Sequence, residues 1–239
     1  MENINNSVVA EKHGEGFFAE NKHLPRRQFF GYFGAAAGLA AVVASGCKVR
    51  KIQTDTNSLD LGKGDFGILN YAYALEQLEA AFYTKVTESF YTGITAIEKE
   101  FLMDIKNDEV AHREWFKKTL FLNKIQDLKY EFDFSSVNFS NRNSVLKTAK
   151  MMEDIGVSAY NGAGPLLKLD TFVRYAGKIV SVEARHAAAI RDLISYGDFA
   201  GADAVDAKGL DLARTPMEVI DMTAKFFKTR INGANLPTS

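Results

Sequence analysis

The sequence predicts an all-α protein: an antiparallel four-helix bundle with a long crossover between its second and third helices and an extra C-terminal helix. Three observations lead there. From Gly67 to Leu193 apolar residues recur at helical spacing, and Pro165 is the only proline in that span. The helical signals fall into two pairs, each joined by a short link. Between the pairs, residues 123–142 lose the helical period, holding Tyr130-Glu-Phe-Asp-Phe134 and then polar residues. Two hairpins joined by one long connection form a known bundle wiring.

The elements follow in chain order. Residues 1–24 are polar and unpatterned, and Pro25-Arg26-Arg27-Gln28-Phe29-Phe30 then leads into an apolar, Gly/Ala-rich run ending at Gly46, before Cys47. A basic region, a moderately apolar stretch and small residues before a cut site make residues 1–47 an export signal. The paired arginines, with Phe29 two positions on, resemble a twin-arginine signal. Ala44-Ser45-Gly46-Cys47 resembles a lipobox, with Cys47 as the lipidation site, although Ala44 stands where leucine is usual. The alternative is an uncleaved membrane anchor, since residues 29–46 are at the short end for spanning. Either way the expectation is an exported protein, periplasmic or in the cell envelope, tethered to the membrane by a lipid or an N-terminal helix.

After a linker over 48–63, the helical domain is expected over 64–195. Helix 1 is read over 67–89, with Leu75, Leu78, Phe82 and Val86 at helical spacing. Thr95-Ala-Ile-Glu98 is a capping box, so helix 2 starts near residue 96 and runs to about 122. Helix 3 is read from near Ser144 to Asn161–Pro165. Asp170 is expected to cap helix 4, which runs to about Ser195. Residues 196–239 are read as a Gly/Asp/Ala-rich loop, a helix from Pro216 to about Thr229, and a loose end.

Composition narrows the function. The 239 residues carry a formal net charge of −1, so the chain lacks the basic footprint of a nucleic-acid binder. One cysteine excludes Cys-rich zinc and iron–sulfur sites. Of the four histidines, His13 and His23 lie in the leader, which leaves His112 and His186.

Both sit three residues after a glutamate: Glu109-x-x-His112 on helix 2 and Glu183-x-x-His186 on helix 4. Spacing of i, i+3 stacks both side chains on one helix face. That face is otherwise apolar: Phe101, Ile105 and Phe116 flank the first pair, Ile179 and Ile190 the second. A carboxylate at a core position is expensive unless it is paired or coordinates metal. Imidazole offers a neutral nitrogen and carboxylate a charged oxygen, so metal explains the pattern economically. The other two helices repeat a second theme, Glu76 seven residues before Tyr83 and Glu153 seven before Tyr160. Corresponding glutamates are 33 and 30 residues apart in the two halves. Four glutamates and two histidines from four helices make a carboxylate-rich di-metal site. Glu79 rivals Glu76 for the helix 1 position, with the Tyr83 spacing favouring Glu76. Tyr83 and Tyr160 read either as core aromatics or as catalytic neighbours of a metal, and Trp115 as packing. The alternative for the whole constellation is a degenerate bundle keeping these residues as buried hydrogen bonds.

Leu75-Glu-Gln-Leu-Glu-Ala-Ala-Phe-Tyr83, Gly156-Val-Ser-Ala-Tyr-Asn-Gly162 and Val182-Glu-Ala-Arg-His-Ala-Ala188 carry a resemblance to the bacterial ferritin-like domain proteins, in the branch often labelled desiccation-related. It covers about residues 64–195. The resemblance implies a ferritin-like bundle with two Fe or two Mn ions per chain, bridged by Glu109 and Glu183. Glu76 and Glu153 would be terminal ligands, and His112 and His186 would each bind one metal. Asp108 and Arg185 match positions from which a side chain orients a ligand histidine, and Asp154 could do so from helix 3. The implied chemistry takes dioxygen or peroxide: oxidation of Fe²⁺, reduction of peroxide, or catalase-like disproportionation with manganese, as protection of the envelope from oxidative or drying stress. That branch has no settled activity, so a metal-binding or structural envelope protein without turnover is the alternative. A homo-oligomer is compatible with the sequence, but a lipid tether on each chain argues against the closed cage that mineral storage needs.

Overall fold

Helical periodicity becomes five α-helices in the computed structural model, which describes residues 58–128 and 131–239. The expected export signal over 1–47, with Cys47, lies outside the described residues, as do most of the linker and Tyr130 of the crossover. The four long helices are α1 (Gly64–Glu88), α2 (Ala96–Leu120), α3 (Arg142–Ala163) and α4 (Asp170–Ile194), followed by the short α5 (Pro216–Thr223). A strand β1 (Ser58–Asp60) pairs in parallel with β2 (Arg230–Asn232), Leu59 opposite Ile231. None of the described helices is long and apolar enough to cross a membrane.

α1 packs along α2, and α3 along α4. Thr95 caps α2 through the expected box: its side chain accepts from Glu98 N, and Glu98 accepts from Thr95 N. Arg142, opening α3, donates to Glu98 Oε1 at 2.6 Å and to the Leu193 carbonyl at 2.5 Å, so the starts of α2 and α3 meet the end of α4.

α1 is buried continuously from Gly67 to Ala80, not along one stripe alone. Its outer side is covered by the segment after α2, pinned by α1's own polar side chains. Asn70 donates to the Asn123 carbonyl and accepts from Ile125 N, Gln77 accepts from Leu128 N, and Tyr73 donates to Asp127. A helix covered on all sides is apolar all round apart from groups that find partners.

Several expectations are corrected. Asp170 does not cap α4; it is the first helical residue, and Leu169 before it has no capping side chain. Asp65 instead holds the segment just before α4, its two carboxylate oxygens accepting from Lys168 N and Leu169 N at 2.9 Å each. α3 begins at Arg142 because Asn141 caps it, accepting from Ser144 N. α5 ends at Thr223, and the chain beyond is no loose end: one 3₁₀ turn leads to β2, and Ile231 and Leu236 are buried. Phe101, read onto the apolar face of α2, is 39% exposed, and its neighbour Leu102 is the buried residue.

Two apolar clusters fill the interior. One joins Leu75 of α1 to Phe116 and Leu120 of α2, Ile155, Ala159 and Ala163 of α3, and Ile179 of α4. The other joins Leu78, Phe82 and Val86 to Leu102, Ile105, Val145, Ala149 and Ile190. On every long helix the two clusters are separated by the same short stretch, and that stretch holds the ionisable residues.

Candidate metal centre

Glu76 comes from α1, Glu109 and His112 from α2, Glu153 from α3, and Glu183 and His186 from α4, all in the gap between the clusters. The structure brings all six together. The four carboxylates are fully buried, and so is nearly all of His186. Their ligand atoms form two overlapping groups, each able to hold a metal ion, with atoms within 4.8 Å of one another. Glu76, Glu109, His112 and Glu183 make the first group; Glu109, Glu153, Glu183 and His186 make the second. Glu109 and Glu183 are common to both groups, and Glu76 and Glu153 are not.

Both imidazoles aim Nδ1 at the carboxylates. His112 Nδ1 lies 3.0 Å from Glu183 Oε1, 3.4 Å from Glu76 Oε2 and 3.6 Å from Glu109 Oε2. His186 Nδ1 lies 2.8 Å from Glu109 Oε1 and 3.5 Å from Glu153 Oε2. The two rings are 6.5 Å apart, centre to centre. Glu109 therefore offers one oxygen to each histidine.

The electrostatics follow from packing four acids into an apolar gap. Burial lifts Glu109 to about 7, against the pull of the two imidazoles beside it. Burial, then the charge of Glu109, raises Glu183 well above the usual carboxylate range. Burial alone would depress His186, but the Glu109 and Glu153 carboxylates beside it outweigh that and push the imidazolium up to about 12. His112 is raised likewise by Glu109, Glu183 and Glu76. The site attracts cations strongly enough that, in their place, it holds protons.

Tyr83 and Tyr160 are placed crosswise. Tyr83 on α1 donates to Glu153 Oε1 on α3 at 2.5 Å, and Tyr160 on α3 donates to Glu76 Oε1 on α1. Each therefore satisfies the far-side oxygen of a glutamate whose other oxygen faces the gap. Their spacing from Glu76 and Glu153 signalled a role, but sequence alone does not show that each tyrosine serves the other half's glutamate. Glu79 is also buried, so Glu76 and Glu79 are not exclusive choices; only Glu76 joins the ligand groups. Glu79 lies against Gly156, where a Cβ would stand 3.2 Å from Glu79 Oε1 and 3.5 Å from Glu183 Oε2.

The expected supporting residues divide. Asp108 Oδ2 lies 3.1 Å from His186 Nε2, where an orienting acid belongs. Arg185 does not reach the ligands: it is exposed and donates to Ser181 on its own helix. Asp154 does not orient a histidine either; it receives two hydrogen bonds from Arg191, at 2.9 and 2.7 Å. Arg191, 1% exposed, also donates to Asp203 at 2.8 Å and so ties α3 and α4 to the loop after them. That residue was missed; its place right after Ile190 on the apolar face was the available signal. Trp115 packs edge-on against Phe116 and beside Tyr175.

Whether a metal fits can be asked of the orphaned atoms. Eight buried ligand atoms on these six residues have no aligned hydrogen bond: Glu76 Oε2, both oxygens of Glu109 and of Glu183, Glu153 Oε2, and Nδ1 of each histidine. Buried polar atoms are almost always satisfied, and unsatisfied ones cost about 1–3 kcal/mol each. Here they converge on one gap, and oxygen with imidazole nitrogen is a donor set for iron, manganese or zinc. The residues fit a metal.

Buried carboxylates and imidazoles gathered from four helices of an all-α domain define a helical protein whose core could hold metal ions. A family model described as "Ferritin-like domain" matches residues 64–196, and the chain belongs to that family. No curated protein matches the chain.

Proposed function

We propose that this chain is an exported, envelope-tethered ferritin-like protein whose core holds two iron or two manganese ions and uses them to oxidise Fe²⁺ or reduce peroxide. The observation that carries the reading is the set of eight orphaned ligand atoms converging on one buried gap. Two divalent cations neutralise four carboxylates, removing the charge imbalance that otherwise has to be met by protons on the histidines. On this reading α1–α4 are the antiparallel four-helix bundle, and the segment after α2 is its crossover. Glu76, Glu109, His112 and Glu183 would hold one ion, and Glu109, Glu153, Glu183 and His186 the other.

Such a centre, when bound, supplies one-electron redox change and an open position for dioxygen or peroxide. The rest falls to the chain. The two apolar clusters exclude water and stiffen the ligands. Burial first, then the adjacent carboxylate, keeps Tyr83 and Tyr160 protonated, so each holds a proton at a terminal ligand, at Glu153 Oε1 and Glu76 Oε1. The paired Arg26 and Arg27 support export, and Cys47 or the uncleaved leader supplies the tether.

The test is turnover. Protein loaded with Fe²⁺ or Mn²⁺ is offered peroxide with excess Fe²⁺ as the reductant, or excess Fe²⁺ under oxygen, beside a Glu109→Ala/Glu183→Ala variant. The expected result is consumption by the parent and none above solution background by the variant. Metal bound without turnover would make this a metal-buffering envelope protein instead.

A further inference from the structure

Resting on that metal reading, we infer that the two halves of the site are unequal: the His186 half takes a divalent cation first and more tightly, and the His112 half is the exchangeable one. The two halves nearly repeat one another. Glu76 matches Glu153, Tyr83 matches Tyr160, Glu109 matches Glu183, and His112 matches His186. The repeat breaks just before the Glu-x-x-His pairs, where Asp108 precedes Glu109 but Val182 precedes Glu183.

The geometry gives that break a consequence. A histidine ligates best when its second nitrogen is held, because the hydrogen bond fixes the tautomer and the ring and raises ligand basicity. His186 Nε2 has Asp108 Oδ2 at 3.1 Å as its acceptor, so when a metal ion displaces the proton from Nδ1, Nε2–H stays donated there and the Nδ1 lone pair points into the gap. His112 Nε2 has no hydrogen-bond partner among the described residues, and Val182, in the matching place, offers no acceptor. Exposure runs the same way, with 13% of the His112 side chain reaching solvent against 7% for His186. Asp108 also adds a further carboxylate on the His186 side, where Val182 adds none on the His112 side. It is a positioning residue, acting through His186. In a protein that oxidises Fe²⁺, the substrate ion would load and leave through the His112 half while the other half keeps its metal.

The full chain, stripped with chelator and kept anaerobic, is titrated with Mn²⁺ while free ion is followed by electron paramagnetic resonance. Two steps are expected, the first tighter than the second by about tenfold or more. Asp108→Asn should weaken the first step about tenfold and leave the second unchanged. The effect belongs at the lower end of its usual range because 53% of the Asp108 side chain is in water. His112→Ala should abolish the second step alone. Asp108 is exposed enough that its variant keeps the fold, checked by unchanged circular dichroism. Two equal steps, or an Asp108→Asn effect spread evenly over both, overturn the assignment while leaving the metal reading intact. No uptake by the parent chain overturns both.

Discussion

Glu109 sets the chemistry of the residue scale, with one oxygen toward each histidine and no exposure to solvent. Its carboxyl titrates near 7 in the fold, against 4.5 when free, because burial penalises its charge. The folded state therefore binds more protons than the unfolded chain between those values, and stability falls as pH rises through them. His186 has the same sign: raised from 6.5 to about 12, its contribution is complete below 6.5 and is lost as pH climbs toward 12. Asp127 and Asp203, held down by their hydrogen bonds to Lys117 and Arg191, are already ionised above about pH 5 and do not interfere. Metal-free protein should accordingly show a lower urea midpoint at about pH 8 than at about pH 5, and bound Mn²⁺ should reverse that order by displacing the protons. A midpoint that rises with pH in the absence of metal would contradict this balance.

The helices show which features local sequence encodes. The start at Thr95-Ala-Ile-Glu98 is legible because a capping box is closed within four residues, and the start at Pro216 because proline suits the first helical position. The Glu-x-x-His pairs were legible because i, i+3 spacing and an apolar face are properties of one helix. What stayed hidden depends on distant partners: Asp65 at the start of α4, β2 finding β1, Asn70 and Gln77 holding the segment after α2, and Arg191 taking Asp154 away from the site. Gly162 belongs to the same class. A Cβ there would stand 1.8 Å from the Arg214 carbonyl oxygen, and that obstacle is backbone held by the hydrogen bond from Arg214 N to the Ser158 carbonyl. Gly162→Ala should therefore destabilise the protein by about 2 kcal/mol or more, read from denaturant midpoints, whereas Gly177, with open space around its Cβ position, should tolerate alanine. Equal midpoints for the two variants would show that the loop after α4 does not press on α3 as described.

At the scale of the whole molecule, one arrangement repeats on four helices: apolar cluster, ionisable stretch, apolar cluster. The clusters supply the burial that makes four carboxylates costly, and the carboxylates supply the charge that makes a metal the economical occupant. Family membership agrees with that architecture and leaves the reaction to be decided by the site itself. The central claim is that these six side chains hold two metal ions, and the most direct measurement is metal content. The chain is purified without chelators and analysed by elemental mass spectrometry beside the Glu109→Ala/Glu183→Ala variant. The expected content is about two iron or manganese ions per chain, one for each histidine-bearing ligand group, and none in the variant. A parent chain that holds no metal and takes up neither Fe²⁺ nor Mn²⁺ anaerobically, or a variant that binds as much as the parent, would contradict it.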